Sequence, residues 1–218
     1  MFIVIDGIDG SGKGTQVAIL EKKLKEMGKK VLILDYPRYG EKSCFAVEKY
    51  LNGGYGSDVS AKQASIFYAI DRFDHFSELK KTWKDYDFVI SNRYVSANLI
   101  HQAGKISDKA ERDEFLEWAE DLEYNIFKIP KSDKTIFLNV SPEMSQKLVL
   151  KKEDREYLKG GKKMDLHEED KNHLINAHKS AMEVVEKLGW IKIDCEKDGE
   201  MRGIEEINLE ILGEILKK

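Results

Sequence analysis

The sequence predicts an α/β protein: a five-stranded parallel sheet with helices on both faces, in three layers. Three observations carry this. Five short apolar runs are spread along the 218 residues. Amphipathic stretches of helical period separate them, which is the pattern of a buried parallel sheet wrapped by its crossover helices. The chemically distinctive residues follow the apolar runs, where such sheets gather ligands.

The first strand is Phe2–Ile5, ended by Asp6. Lys13–Met27 reads as a helix, with Val17, Leu20 and Leu24 on one face and Gly28 as its stop. Val31–Leu34 is the second strand. Helical patterns follow over 42–51 and 60–83, and Phe88–Ile90 is the third strand. The segment 108–127 is helical, with Phe115, Trp118, Leu122 and Ile126 at spacings of three and four. Thr135–Val140 is the fourth strand. Ser141-Pro142-Glu143 then opens a helix, with proline in its first turn. A helix over 167–188 carries Leu174, Ala177, Ala181, Val184 and Leu188. Trp190–Ile193 is the fifth strand, and a last helix runs from about 200 to the end.

Hydrophobic residues make up 41% and charged residues 35%, the balance of a globular protein rather than a disordered one. The net charge of −4 disfavours a dedicated nucleic-acid binder. No apolar stretch approaches the roughly 18 residues of a membrane span, and the N-terminal run lacks a basic lead. Cys44 and Cys195 have no metal-ligand spacing and read as reduced thiols. No repeat or low-complexity linker divides the chain. The expectation is one domain over 1–218, in the cytoplasm, without membrane or nucleic-acid partners.

Gly7-Ile8-Asp9-Gly10-Ser11-Gly12-Lys13-Gly14-Thr15 joins the first strand to the first helix with the spacing Gly-x4-Gly-Lys. Glycines let the backbone turn its N–H groups around phosphate oxygens, and the helix N-terminus adds partial positive charge. Lys13 can bridge the β- and γ-phosphates of a nucleoside triphosphate. The fold expected around such a loop is the three-layer P-loop NTPase fold. The hydroxyl that usually follows the lysine, as a magnesium ligand, is replaced by Gly14. Metal then falls to water, to the phosphates, to Thr15, or to a nearby carboxylate such as Asp9.

Four further features narrow the class. Gly12-Lys13-Gly14-Thr15-Gln16 resembles the loop of nucleoside monophosphate kinases. Tyr36-Pro37-Arg38 follows the second strand. Ala69-Ile70-Asp71-Arg72 lies in the 60–83 helix. Ser91-Asn92-Arg93-Tyr94-Val95-Ser96 follows the third strand, with His101-Gln102-Ala103-Gly104 after it. Together with Ser141-Pro142-Glu143, these resemble the thymidylate kinase family over nearly the whole chain. The resemblance implies transfer of the γ-phosphate of ATP to dTMP, giving ADP and dTDP, with Mg2+ as cofactor and a homodimer as the assembly.

The resemblance also implies roles. Arg38 and Arg93 clamp the acceptor phosphate, a task suited to forked guanidinium bonds. Arg72 addresses the pyrimidine edge. Tyr68, four residues earlier and so on the same helix face, takes the stacking position. Asp9 reaches the acceptor sugar or positions the transfer, and Ser96 and Gln102 bind the base or line its pocket. The family pattern has aspartate where this chain has Asn92. That departure keeps two alternatives open: a kinase for another (deoxy)nucleoside monophosphate, or a nucleotide-binding module without catalysis.

The segment of about 151–166 is basic and contains Gly160-Gly161, and it is expected to close as a lid. Some thymidylate kinases carry a charge-stabilising arginine inside the phosphate loop and others supply it from the lid. Here the loop position is Gly10, so the lid is expected to supply it, through Arg155, with Lys152, Lys159 and Lys163 as alternates. His167 is read as a helix-start residue.

Overall fold

Phe2–Asp6 forms β1 and is buried along its whole length. The strand runs down the middle of a sheet, where every residue meets a covered face. A computed structural model describes residues 1–150 and 171–217 of the chain. Val31–Asp35 (β2), Phe88–Asn92 (β3), Lys134–Asn139 (β4) and Ile191–Asp194 (β5) complete the sheet, in the order β2-β3-β1-β4-β5. All four pairings are parallel. The three-layer α/β architecture expected from the sequence is therefore present.

Alternate strand residues supply the two faces. Ile3, Ile5, Ile90, Ile136, Leu138 and Ile193 pack on one side with Val17, Leu20 and Leu24 of α1 (Lys13–Glu26) and Ile207, Ile211 and Ile215 of α8 (Ile204–Leu216). Phe2, Val4 and Val89 face the other way, toward Phe76 and Leu79 of α3 (Ala61–Leu79). On that second side Phe137 meets Ala177, Ala181 and Val185 of α7 (Lys171–Leu188). Short helices bridge these layers: α2 (Phe45–Leu51), α4 (Val95–Ala97), α5 (Lys109–Glu120) and α6 (Pro142–Leu150).

Three elements differ from the sequence reading. The 60–83 pattern ends at Leu79; its start is fixed by a capping box between Ser60 and Gln63. The final helix begins only at Ile204, because Glu196–Lys197 and Glu200–Met201 first form a small antiparallel hairpin. The 108–127 helix changes character after Glu120: Asp121–Ile126 is a π-turn, with the Phe127 N–H reaching back five residues to Leu122. The extra residue rotates the apolar stripe. Ile126 is consequently 63% exposed, and Glu123 is buried in place of the residue the helical period selects.

Cys44 and Cys195 are free and buried, and burial pushes both thiols up to about 12. Among the described residues no helix is long and apolar enough to cross a membrane.

The loop between β1 and α1 is shaped by glycines with different burdens. Gly10 has φ 79°, and a Cβ there would sit 2.5 Å from the Ser145 carbonyl oxygen and 2.8 Å from Val149 Cγ2, both on α6. Gly12, at φ 83°, faces open space. The close approach of α6 is thus the physical reason this loop carries no side chain at position 10. Gly10→Ala is expected to cost about 2–4 kcal/mol, combining left-handed strain with overpacking. Gly12→Ala should cost about 1–2 kcal/mol, from strain alone. Urea denaturation reads the difference, and equal losses would contradict the packing argument.

Candidate active site

Parallel strands deliver their C-terminal ends to one edge, and a cavity of about 260 Å³ opens there. The loop after β1 contributes Asp9, Gly10, Gly12, Lys13 and Gly14; β2 ends in Asp35; β3 ends in Asn92, followed by Arg93. Tyr68 and Arg72 of α3 and Asn98, His101 and Gln102 beyond α4 complete the wall. Gly12 caps α1 in a left-handed conformation with no side-chain cap, so the first-turn N–H groups keep the anion-binding capacity of a helix start.

Lys13 folds back over the loop. Its Nζ donates to the carbonyls of Gly7 at 2.9 Å and Ile8 at 2.8 Å and lies 3.4 Å from Ser11 Oγ. Asp6 anchors the start of the loop: it accepts from the Gly7 N–H at 2.8 Å and from Ser96 Oγ at 2.5 Å.

Arg93 has φ 64°, the left-handed region that disfavours a side chain. The conformation is held by its N–H to the Ile5 carbonyl at 3.1 Å and by Ser91 Oγ, which donates to its carbonyl. Its guanidinium then reaches two partners. Nη2 donates to Asp9 Oδ1, and Nη1 to His101 Nε2 at 2.9 Å. A guanidinium has no acceptor, so His101 Nε2 holds a lone pair and the ring is neutral with its proton on Nδ1. Burial, followed by the Arg93, His173 and Lys13 charges, holds the His101 pKa well below 6.5, against the opposing pull of Asp9. Burial alone would raise Asp9, but the charge of Arg93, the largest opposing contribution, together with that of Lys13, holds the carboxyl far below the usual range. His101 stacks on His173 of α7 with ring centroids 5.6 Å apart.

Behind the wall, Arg72 and Glu123 form a two-pronged pair at 2.6 and 2.5 Å, exposed 2% and 1%. Asn98 Nδ2 joins Glu123 at 3.2 Å. Glu123 escapes a reading by helical period because only the π-turn brings it inward. Asp35 also escapes it, as the last residue of an apolar run. Asp35 lies opposite Asn92 in the β2–β3 register, and Asn92 Nδ2 donates to its Oδ1 at 2.8 Å. The cavity wall strips hydration from Asp35 and raises its pKa, opposed by the Asn92 hydrogen bond and by Arg93 and Lys13. The signal available in the sequence was the charge that ends β2.

The structure brings Asp9, Gly10, Gly12, Lys13, Gly14, Tyr68, Arg72, Arg93 and Gln102 to one cavity. Gln102 Oε1 is buried with no hydrogen-bond partner among the described residues. Gly7 and Ser11 belong to the loop without lining the cavity, and Thr15 is exposed outside it. Two of the expected residues lie apart from the cavity lining. Ser96 does not line the cavity; its hydroxyl is spent on Asp6. Arg38 does not line it either: Nε donates to Asp71 at 3.0 Å, and Nη2 to Asp74 at 2.6 Å and to Ser43 at 2.8 Å. Carboxylates on α3 outcompete the cavity for that guanidinium. Arg155, Lys152, Lys159, Lys163, His167 and the expected lid over about 151–166 lie outside the described residues.

Glu123→Ala strands the buried Arg72 charge and is expected to cost about 3–5 kcal/mol, a drop in Tm of about 10 °C; a drop under about 3 °C in thermal unfolding would show that the pair is dispensable. The pH response has a definite sign. His101, like His75 and His178, has a pKa lowered by burial. Below pH about 6.5 the unfolded chain takes up protons that the fold refuses, so stability falls as pH drops, by at most about 1.4 kcal/mol per unit for each such group. His101→Gln should flatten the fall in Tm between about pH 7.5 and 5.5. An unchanged slope would mean that His101 accepts its proton within the fold.

Comparison with known proteins adds to this geometry. Residues 5–202 match the family model described as thymidylate kinase. The chain is 31% identical over 147 residues to "Thymidylate kinase" of Mycobacterium tuberculosis (strain CDC 1551 / Oshkosh), covering 66% of this chain and 68% of the relative. It is 31% identical over 146 residues to "Probable thymidylate kinase" of Pyrobaculum aerophilum, covering 66% and 67%. A third relative, "Probable thymidylate kinase" of Thermococcus onnurineus, is 32% identical over 155 residues, covering 68% and 71%.

Proposed function

The chain belongs to the thymidylate kinase family, and from that premise we propose that it transfers the γ-phosphoryl group of ATP to dTMP, giving ADP and dTDP. One observation carries the reading at this site: Lys13 and the Asp9-held Arg93 face the cavity that Tyr68, Arg72 and Gln102 also line. Cations for two phosphate groups and an aromatic and amide set for a base therefore share one space.

In this proposal the loop N–H groups and Lys13 hold the donor phosphates. Arg93, aimed by Asp9 and His101, holds the acceptor phosphate. An acceptor oxygen forms a bond to the γ-phosphorus in line as the bond to the bridging oxygen of ADP breaks. The protein contributes alignment and charge compensation rather than covalent chemistry. Tyr68 stacks on the base, while Arg72, held rigid by Glu123, and Gln102 Oε1 address its edge. Arg155 completes the compensation from the lid.

Magnesium accompanies ATP in this reading. The wall fits it, because Asn92 Oδ1 is a buried oxygen with no hydrogen-bond partner among the described residues, beside the phosphate loop. When bound, the ion neutralises charge on the phosphates. Two finer parts belong to the same proposal: residence in the cytoplasm and pairing of two copies. Exposed Ile66, Ile70 and Phe73 on α3 offer a surface for the pairing, which sedimentation of the purified chain tests.

A coupled ADP-release assay across the common monophosphates tests the reaction. dTMP is expected to be the preferred acceptor, and Lys13→Ala should lower turnover at least about 100-fold with the fold intact. Faster turnover of dCMP or dGMP would reassign the acceptor. ATP binding without ADP release for any acceptor would favour the non-catalytic module.

A further inference from the structure

Two side chains that would serve magnesium are missing from this chain. Gly14 stands where a phosphate loop usually has a hydroxyl on the ion, and Asn92 stands where the family pattern has aspartate. The structure shows that the two gaps meet. A Cβ on Gly14 would point at Asn92 Nδ2, 4.0 Å away. Asn92 is bonded in turn to Asp35 across the β2–β3 pairing. Gly14, Asn92 and Asp35 line the cavity together with Lys13.

We propose that Asp35 supplies the carboxylate for the magnesium of bound ATP, in place of the aspartate absent at position 92. The inference rests on the kinase reading for the presence of the metal nucleotide, but not for the identity of the acceptor. Magnesium keeps several of its waters and is held through one or two carboxylates plus substrate phosphates. A carboxylate beside the phosphate loop therefore serves by ordering metal-bound water, without a closed protein cage. Among the described residues there is no group of three acidic, histidine or cysteine side chains that could form such a cage. Asp35 meets the requirement. It is exposed to the cavity, and one of its oxygens is aligned by Asn92. Asn92 Oδ1 is buried with no hydrogen-bond partner among the described residues. Asn92 turns its Nδ2 toward both Gly14 and Asp35, so the oxygen available beside the vacated hydroxyl position is the Asp35 carboxylate.

A plainer role for the pair is to tie off the sheet end, and the two roles differ in what they do to metal binding. Calorimetry without acceptor compares the affinity of the full chain for metal-free ATP and for Mn2+·ATP. Asp35→Asn preserves shape. It is expected to leave metal-free ATP affinity within about twofold and to weaken Mn2+·ATP about 10-fold, as loss of a metal-orienting carboxylate does. The exchanged pair, Asp35→Asn with Asn92→Asp, should recover Mn2+·ATP affinity to within about threefold of the parent. The proposal is overturned if Asp35→Asn binds Mn2+·ATP as the parent does, if both affinities fall equally, or if the exchanged pair stays as weak as the single variant. Because no acceptor is present, a parent chain that fails to phosphorylate dTMP leaves this result standing and removes only the proposed reaction.

Discussion

The pairing of Asp9 with Arg93 sets the electrostatics of the cavity. It holds the loop after β1 against the end of β3, so the glycine-rich loop and a guanidinium fork share one frame. At about 4 Å, unit charges in a partly buried setting attract by about 4 kcal/mol, which opposes the desolvation of the largely buried Asp9 carboxyl. His101 is part of the same arrangement. Burial disfavours a charged ring, and a protonated ring beside Arg93 would also place two cations together, so the neutral form is retained and its lone pair steers the guanidinium. Even the left-handed backbone at residue 93 fits this account, since strain of that kind persists where surrounding bonds over-determine it.

A second buried pair fixes another arginine of the cavity wall. Adjacent residues on α3 project to different tasks: Asp71 accepts the Arg38 backbone N–H at 2.8 Å and its Nε, while Arg72 crosses to Glu123. An arginine free of partners would swing; one gripped at two nitrogens presents its remaining edge in a fixed direction, which recognition of a planar base requires. Arg38 shows the converse. Surrounded by Asp71, Asp74 and Glu78, its charge is already compensated. An anion would have to win it from those carboxylates.

The strands were legible because a parallel sheet is covered on both faces, and Phe2–Ile5 or Val31–Leu34 then reads as an unbroken apolar run. The glycine-rich loop between β1 and α1 was legible because its pattern is local in sequence. What escaped was set by departures from regular period or by contacts distant along the chain. The π-turn at Asp121–Ile126 breaks the 3.6-residue period, hiding Glu123 and falsely recommending Ile126 for the interior. The hairpin at Glu196–Met201 has strands of two residues, too short for alternation to register. Ser96 matched a motif, yet its hydroxyl found Asp6, 90 positions away. Arg38 likewise matched by position, and no local feature announces three carboxylates 33 to 40 residues later.

Asn92 marks the limit of reading a motif one position at a time. In a parallel pair, residues in register sit side by side, about 4.8 Å apart, and present the same face. Asp35 and Asn92 are such neighbours. Aspartate at both positions would bring two carboxylates into contact distance, where one is driven to keep its proton and loses its value to a cation. Neither aspartate would leave the strand ends without a carboxylate. One acid and one amide satisfy both conditions, and the hydrogen bond between them is indifferent to which strand carries the acid. The chemical requirement therefore belongs to the pair of strand ends, and in this chain Asp35 carries the acid while Asn92 carries the amide.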